Sequence, residues 1–192
     1  RLLRQLIKDQ SLDPKVFRPR RFENIISNWK GRSLMPIGAK AEAALMGMEE
    51  EHAATVYELY EAELAKQDAL DFDDLLLKGV QLLQLDSDST RRWVEKFEHI
   101  LVDEYQDTND LQYKFVKLLA QGTKHVAVCG DPDQSIYRWR GADISNILDF
   151  ERDFPGAEIV RLEQNYRSVG NVLLAAQTVI KNNSSRKEKD LI

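Results

Sequence analysis

The sequence predicts an α/β protein: a parallel sheet with crossover helices in its second half, preceded by an all-helical segment. Two observations carry this. Three short apolar runs rich in β-branched residues, HILVDE, HVAVCGD and AEIVRL, each run into polar or turn residues, and helical stretches separate them. Strand–helix–strand alternation marks a parallel sheet with helical crossovers. Before about residue 96, apolar residues instead recur every three or four positions, the period of a helix packed on one face.

In RLLRQLIKDQSLDP, Leu2, Leu3, Leu6 and Ile7 share a helical face and the helix stops before Pro14. FRPRRF and GRSLMPIGAKA read as loops. EEEHAATVYELYEAELAKQ spaces Ala53, Val56, Tyr60 and Leu64 by three or four, with acids in its first turn, where the helix dipole favours them. DFDDLLLKGVQLLQL opens on acids, with Asp71 as N-cap. Past residue 96, NDLQYKFVKLLAQ is a helix closed by Gly122, and ADISNILDFERDF is another. Ser168 is expected to cap a last helix, SVGNVLLAAQTVIKNN, and the polar tail SSRKEKDLI to fray.

Composition narrows the class. With 43% hydrophobic and 31% charged residues in 192, the chain is an ordinary globular protein. No run approaches the roughly 18 apolar residues of a membrane span, so no membrane partner is expected. Cys129 is the single cysteine, which excludes an internal disulfide and favours a reducing compartment. The three histidines, 52, 99 and 125, lack metal-ligand spacing. The net charge of -5 is unevenly laid out: residues 1–40 carry 10 Lys/Arg against 3 Asp/Glu, and residues 41–113 carry 5 against 19. The basic opening suits either a phosphate backbone or a solvated surface.

Function is concentrated where apolar runs end. Ile100, Leu101 and Val102 lead straight into Asp103 and Glu104. Ligands of parallel sheets bind beyond the strands' carboxyl ends. One carboxylate there can hold Mg²⁺, a hard cation that keeps several waters, and the other can orient a water and take its proton. The alternative is that Asp103 caps the next helix and Glu104 pairs with an arginine. After the second run, Asp131, Pro132 and Asp133 form a turn and Gln134 follows, an amide able to meet a phosphate oxygen or a water. Tyr137, Arg138, Trp139 and Arg140 then alternate ring and cation. Extended, such a run puts both rings on one face, where unpaired bases stack while cations follow phosphates. The alternative is a core tryptophan with its N–H bonded internally. In LEQNYRS, Tyr166 can stack on a base and Arg167 can stabilise charge on a transferred phosphoryl group.

Taken in order, VDEYQDTN, GDPDQSIYRWRGA and LEQNYRS closely resemble motifs II, III and IV of superfamily-one DNA helicases of the UvrD/PcrA/Rep group, and DFDDLL resembles the stretch before motif II. The resemblance implies a partial RecA-like P-loop motor domain with an all-helical insertion: residues 1–96 the inserted helical domain, 97–163 the second part of the first motor domain, and 164–192 the start of the second motor domain with its tail. It implies ATP and Mg²⁺ as cofactors. Asp103 would hold Mg²⁺ through water, Glu104 would activate the attacking water, and Gln134 would sense the γ-phosphate. Tyr166 would stack on the adenine and Arg167 would reach the phosphate. Tyr137 and Trp139 would face single-stranded DNA, and Arg140 would couple the two sites. The implied function is 3′-to-5′ translocation on single-stranded DNA and at single-strand/duplex junctions, in the cytoplasm beside the bacterial nucleoid or in a nucleus. A helicase–nuclease subunit of the RecB/AddA kind would share these motifs, and a non-catalytic nucleic-acid-binding module would use the acids structurally.

A nucleotide motor also needs a phosphate-cradling G-x-x-x-x-G-K-[ST] loop, and none of the nine glycines here starts one. The expectation is therefore an internal piece of a larger helicase, lacking that loop and the later motifs and inactive alone. The sheet edges this leaves unpaired favour self-association.

Overall fold

The computed structural model describes residues 1–85, 87–123 and 125–183, so the tail at 184–192 lies outside the described residues. In chain order its elements are α1 (Leu2–Asp9), α2 (Pro19–Gly31), α3 (Pro36–Ala43), α4 (Met48–Lys66), α5 (Phe72–Leu83), α6 (Asp88–Val94), β1 (His99–Val102), α7 (Asp110–Leu119), β2 (His125–Val128), α8 (Ser145–Leu148), α9 (Phe150–Asp153) and α10 (Gly170–Ile180). Among the described residues the sheet has two strands, β1 beside β2, with α7 as their crossover. The expected helix-rich segment and parallel sheet form, but the sheet has two strands among the described residues where three apolar runs were expected to supply strands. No described helix is long and apolar enough to cross a membrane. Contacts divide the chain into two units, one of 1–100 with 109–127, the other of 101–108 with the described residues from 128 on.

The first unit is built on helical faces. Ile7 of α1, Phe22, Ile26 and Trp29 of α2, and Val56 and Tyr57 of α4 are buried together, with Leu3 and Leu6 packed against them. Ala39 and Ala43 of α3 meet Ala53 and Ala54 of α4, small side chains that let two helices approach closely. A second cluster joins Leu77 and Val80 of α5 to Leu111 of α7, with Phe115 and Leu118 alongside. FRPRRF and GRSLMPIGAKA, expected as loops, instead open α2 and α3. Pro19 and Pro36 stand at helix starts, where a missing N–H costs nothing and the ring presets φ. Asp71 caps α5 as expected: it accepts the Asp74 N–H at 2.8 Å, and the Asp74 carboxylate accepts the Asp71 N–H at 3.3 Å.

Inside this unit lies a buried cation. Lys30, fully buried, holds its Nζ 2.8 Å from Asp71 Oδ2, 2.8 Å from Asp74 Oδ1 and 2.7 Å from Glu61 Oε1. The rings of Tyr57 and Tyr60 flank it, their centroids 5.8 and 5.3 Å away. Burial works against the charge, but the three carboxylates outweigh it and raise the ammonium above its ordinary pKa. One side chain thus ties α2, α4 and the start of α5 together.

In the second unit the strand ends carry parallel pairing onward. The Cys129 N–H donates to the Val102 carbonyl at 2.7 Å, and the Cys129 carbonyl accepts from the Tyr105 N–H at 3.0 Å. Three expectations are corrected here. AEIVRL forms no strand: Ile159, Val160 and Leu162 are exposed, and a β-branched run becomes a strand only beside a partner that takes its backbone bonds. ADISNILDFERDF breaks into α8 and α9 at Asp149, whose carboxylate pairs with Arg152 at 2.9 Å. Ser168 does not cap α10. Val169 is the cap residue, and Asn165 Oδ1 accepts the N–H groups of Arg167 and Ser168 instead.

Candidate active site

The acidic pair leaves β1 through a backbone flip. Regular parallel register would offer the N–H of residue 104 to the Cys129 carbonyl. That bond comes from Tyr105, and Glu104 takes the left-handed conformation, φ 50° and ψ 42°. Its displaced N–H donates to Asp103 Oδ1 at 2.9 Å. A non-glycine residue held there costs on the order of 1–2 kcal/mol, strain of the kind kept at functional sites. The flip takes the pair out of the strand's strict alternation, the condition under which neighbouring carboxylates can serve one ligand.

The bland readings of the pair do not form. Asp103 does not cap α7; Asn109 does, in a reciprocal box with Gln112 at 2.8 and 3.0 Å. Glu104 meets an amide, not an arginine: Gln106 Nε2 donates to its Oε2 at 2.8 Å. Both carboxylates are exposed, and neither joins an ion pair among the described residues. No group of three or more His, Cys, Asp or Glu that could hold a metal occurs there either. One or two carboxylates open to solvent, with no cage around them, fit Mg²⁺, which binds through few protein ligands and fills its shell with water and substrate phosphates.

The second strand end leads into a turn anchored by Asp131. Its Oδ1 accepts the Asp133 N–H at 3.0 Å, and its Oδ2 accepts from Gln134 Nε2 at 2.7 Å. Its own N–H donates to Gln106 Oε1 at 3.0 Å. Glu104, Gln106, Asp131 and Gln134 therefore form one hydrogen-bonded chain, and Gln134 is joined to Glu104 through it. Gln106 is a residue the sequence reading missed. An amide between two carboxylates reads as solvated, and only the flip at Glu104 turns it inward.

The aromatic–arginine run is not extended. Residues 138–140 make a single 3-10 turn, closed by Gly141 at φ 90°, a conformation glycine adopts freely. Rings and cation consequently gather on one side. The Arg140 guanidinium lies 5.3 Å from the Tyr137 ring centroid and 4.7 Å from that of Trp139. Trp139 is 73% exposed even with Arg140 over its ring, so the core reading fails and the indole retains solvent-facing surface on which a base can stack. Tyr166 is 91% exposed. Arg167 is exposed as well, and among the described residues no hydrogen bond, ion pair or ring contact links either side chain to the carboxylates.

The UvrD/REP helicase N-terminal domain model matches residues 1–155 of the chain. Over 190 residues the chain is 47% identical to the ATP-dependent DNA helicase PcrA of Staphylococcus aureus, covering 99% of this chain and 26% of that protein. The same identity and coverage hold for the ATP-dependent DNA helicase PcrA of Staphylococcus epidermidis. The chain thus spans about a quarter of the length of the curated relatives it matches.

Proposed function

The chain belongs to the UvrD/REP helicase family, and from that premise we propose that it carries the hydrolytic and DNA-coupling part of an ATP-dependent helicase moving 3′ to 5′ along single-stranded DNA. The observation that carries the proposal is the exposed Asp103–Glu104 pair at a flipped strand end, bonded through Gln106 and Asp131 to the segment that presents Trp139.

On this reading residues 1–96 are the inserted helical domain, 97–163 the later part of a RecA-like motor domain, and 164–192 the start of the second. Asp103 would hold Mg²⁺ bound with ATP, and the ion would neutralise charge on the phosphate oxygens. Glu104 takes the proton of the attacking water. Gln134 answers to the γ-phosphate with the second N–H of the amide whose first donates to Asp131. Tyr166 stacks on the adenine and Arg167 meets the phosphate. Tyr137 and Trp139 stack on unpaired bases at single-strand/duplex junctions, and Arg140, already against both rings, holds them in place. The 192 residues contain no phosphate loop, so hydrolysis is proposed only for a longer protein that supplies one. The helicase–nuclease reading shares these residues, and the match to PcrA favours a helicase. A purely structural role for the acids is disfavoured by their exposure and by the absence of any ion pair to them among the described residues. Both named relatives are staphylococcal, which favours the bacterial cytoplasm over a nucleus.

Trp139→Ala tests the DNA-facing half. In the full-length protein it is expected to weaken single-stranded DNA binding by about 1–3 kcal/mol, the contribution of one base–aromatic stack, read by fluorescence anisotropy with an oligonucleotide. Unchanged affinity would remove Trp139 from the interface.

A further inference from the structure

The side chain of Gln106 is 1% exposed in a protein surface made of charged groups, and every polar atom it has is used. Nε2 donates to Glu104 Oε2 at 2.8 Å and to Asp107 Oδ2 at 3.2 Å. Oε1 accepts the Asp131 N–H at 3.0 Å. The main-chain carbonyl accepts from Ser135 Oγ at 3.4 Å. The amide has only one workable orientation. Ionised carboxylates can only accept and a backbone N–H can only donate, so exchanging the amide's N and O would break three bonds at once. Asp107 adds to the constraint: its Oδ1 is buried and has no hydrogen-bond partner among the described residues, so the bond its Oδ2 accepts from Gln106 is costly to lose.

The backbone makes room for this side chain. A Cβ at Gly130 would lie 2.5 Å from Gln106 Oε1, 2.8 Å from Ile147 Cδ1 and 3.1 Å from the Tyr105 nitrogen. Glycine at this position is required by the closeness of the amide, which fills the space between the two strand ends.

We propose that Gln106 is the positioning residue that couples DNA binding to ATP hydrolysis: its buried amide holds Glu104 from one side and the Asp131–Gln134 turn from the other. The inference rests on the proposed role of Glu104 as the base. The turn ends three residues before Tyr137, so a shift of the DNA-stacking rings moves Asp131, and Gln106 passes the shift to the Glu104 carboxylate. A misplacement of about 1 Å in a reacting group can cost on the order of a hundredfold in rate, so a small shift suffices for control.

Two variants of the full-length protein cut the link at opposite ends. Gln106→Glu keeps the shape and the acceptor for Asp131 but presents an acceptor to Glu104 and Asp107. Gly130→Ala leaves Gln106 intact and displaces its Oε1. The readout is the ratio of ATPase kcat with saturating single-stranded DNA to kcat without it, alongside KM for ATP, DNA affinity and thermal unfolding. In both variants the ratio is expected to fall about tenfold or more, with DNA affinity and KM within about threefold of the parent. A merely structural role would lower both rates together, and a ratio unchanged within twofold in a folded variant overturns the proposal. If one variant does not fold, the other decides. Glu104→Gln, assayed in parallel, separates the failures: if it still hydrolyses ATP, the reading of Glu104 is wrong, whereas its inactivity beside an unchanged ratio in the variants refutes the coupling alone.

Discussion

Glu104→Gln in the full-length protein is expected to lower single-turnover ATP hydrolysis by about 10²–10⁴-fold while leaving nucleotide affinity close to the parent value. The substitution removes the proton-accepting carboxylate and little else. A glutamine carbonyl can still accept from Gln106 Nε2, which now lies 2.8 Å from Oε2, so the hydrogen-bonded chain to Asp131 survives. The left-handed turn is equally open to glutamine, since the strain at φ 50° is set by the backbone and a Cβ that both residues share. Loss of turnover with binding retained therefore isolates the base. If the acids were structural, the same variant would move the unfolding midpoint and leave hydrolysis alone. Quench-flow with radiolabelled ATP and a fluorescent nucleotide titration measure the two quantities.

Lys30→Met is expected to destabilise the 192-residue chain by about 3–5 kcal/mol, because it strands buried carboxylates. Asp74 is 1% exposed, and Lys30 is its partner at 2.8 Å. Methionine fills most of the volume, so lost charge compensation dominates over cavity formation. Urea unfolding at pH 7 reads the difference. Acid gives a second signature. In the parent, burial pushes the Asp71 carboxyl up, but its bonds to Lys30 and to the Asp74 N–H outweigh burial and hold it below its ordinary 3.8. A depressed folded pKa contributes stability that is present above the unfolded value and lost as pH falls through the folded one. Without Lys30, burial dominates at Asp71 and its carboxyl rises above its unfolded value. The variant then regains stability on acidification through the range just above pH 4, where the parent does not gain from Asp71. Asp73, which burial raises in the parent while the Lys30 charge lowers it, rises further in the variant, so its regained stability on acidification adds to the same signature. A loss below about 1 kcal/mol at pH 7, with parallel pH profiles, would show that the cluster is solvated.

What could be read from the residues was local. The Asp71 cap was legible because a capping box needs only residues 71–74, and the β1–α7–β2 crossover because its periodicity switches twice within thirty residues. The carboxylate pair drew attention because two charges directly after an apolar run have few explanations, although β1 itself buries only Ile100. Elsewhere proline misled: Pro19 and Pro36 open helices, and the same residue type also breaks them. AEIVRL carries strand propensity, but propensity cannot supply the neighbouring strand. Gln106 was out of reach for a different reason. Its burial follows from the flip at Glu104 and the empty side chain of Gly130, two features 26 residues apart in the chain that meet only in the fold. The turn at Trp139 depends likewise on the positive φ of Gly141, which alternation of rings and cations does not announce.

The central claim is that Asp103 and Glu104 serve a metal-bound nucleotide. Mn²⁺ is a paramagnetic substitute for Mg²⁺, and its binding to the full-length protein in the presence of a non-hydrolysable ATP analogue can be followed by electron paramagnetic resonance. Asp103→Asn is expected to weaken that binding about tenfold or more, the loss typical when a carboxylate that orients a metal is neutralised. Mn²⁺ affinity equal to that of the parent, with the analogue bound normally, would contradict the claim.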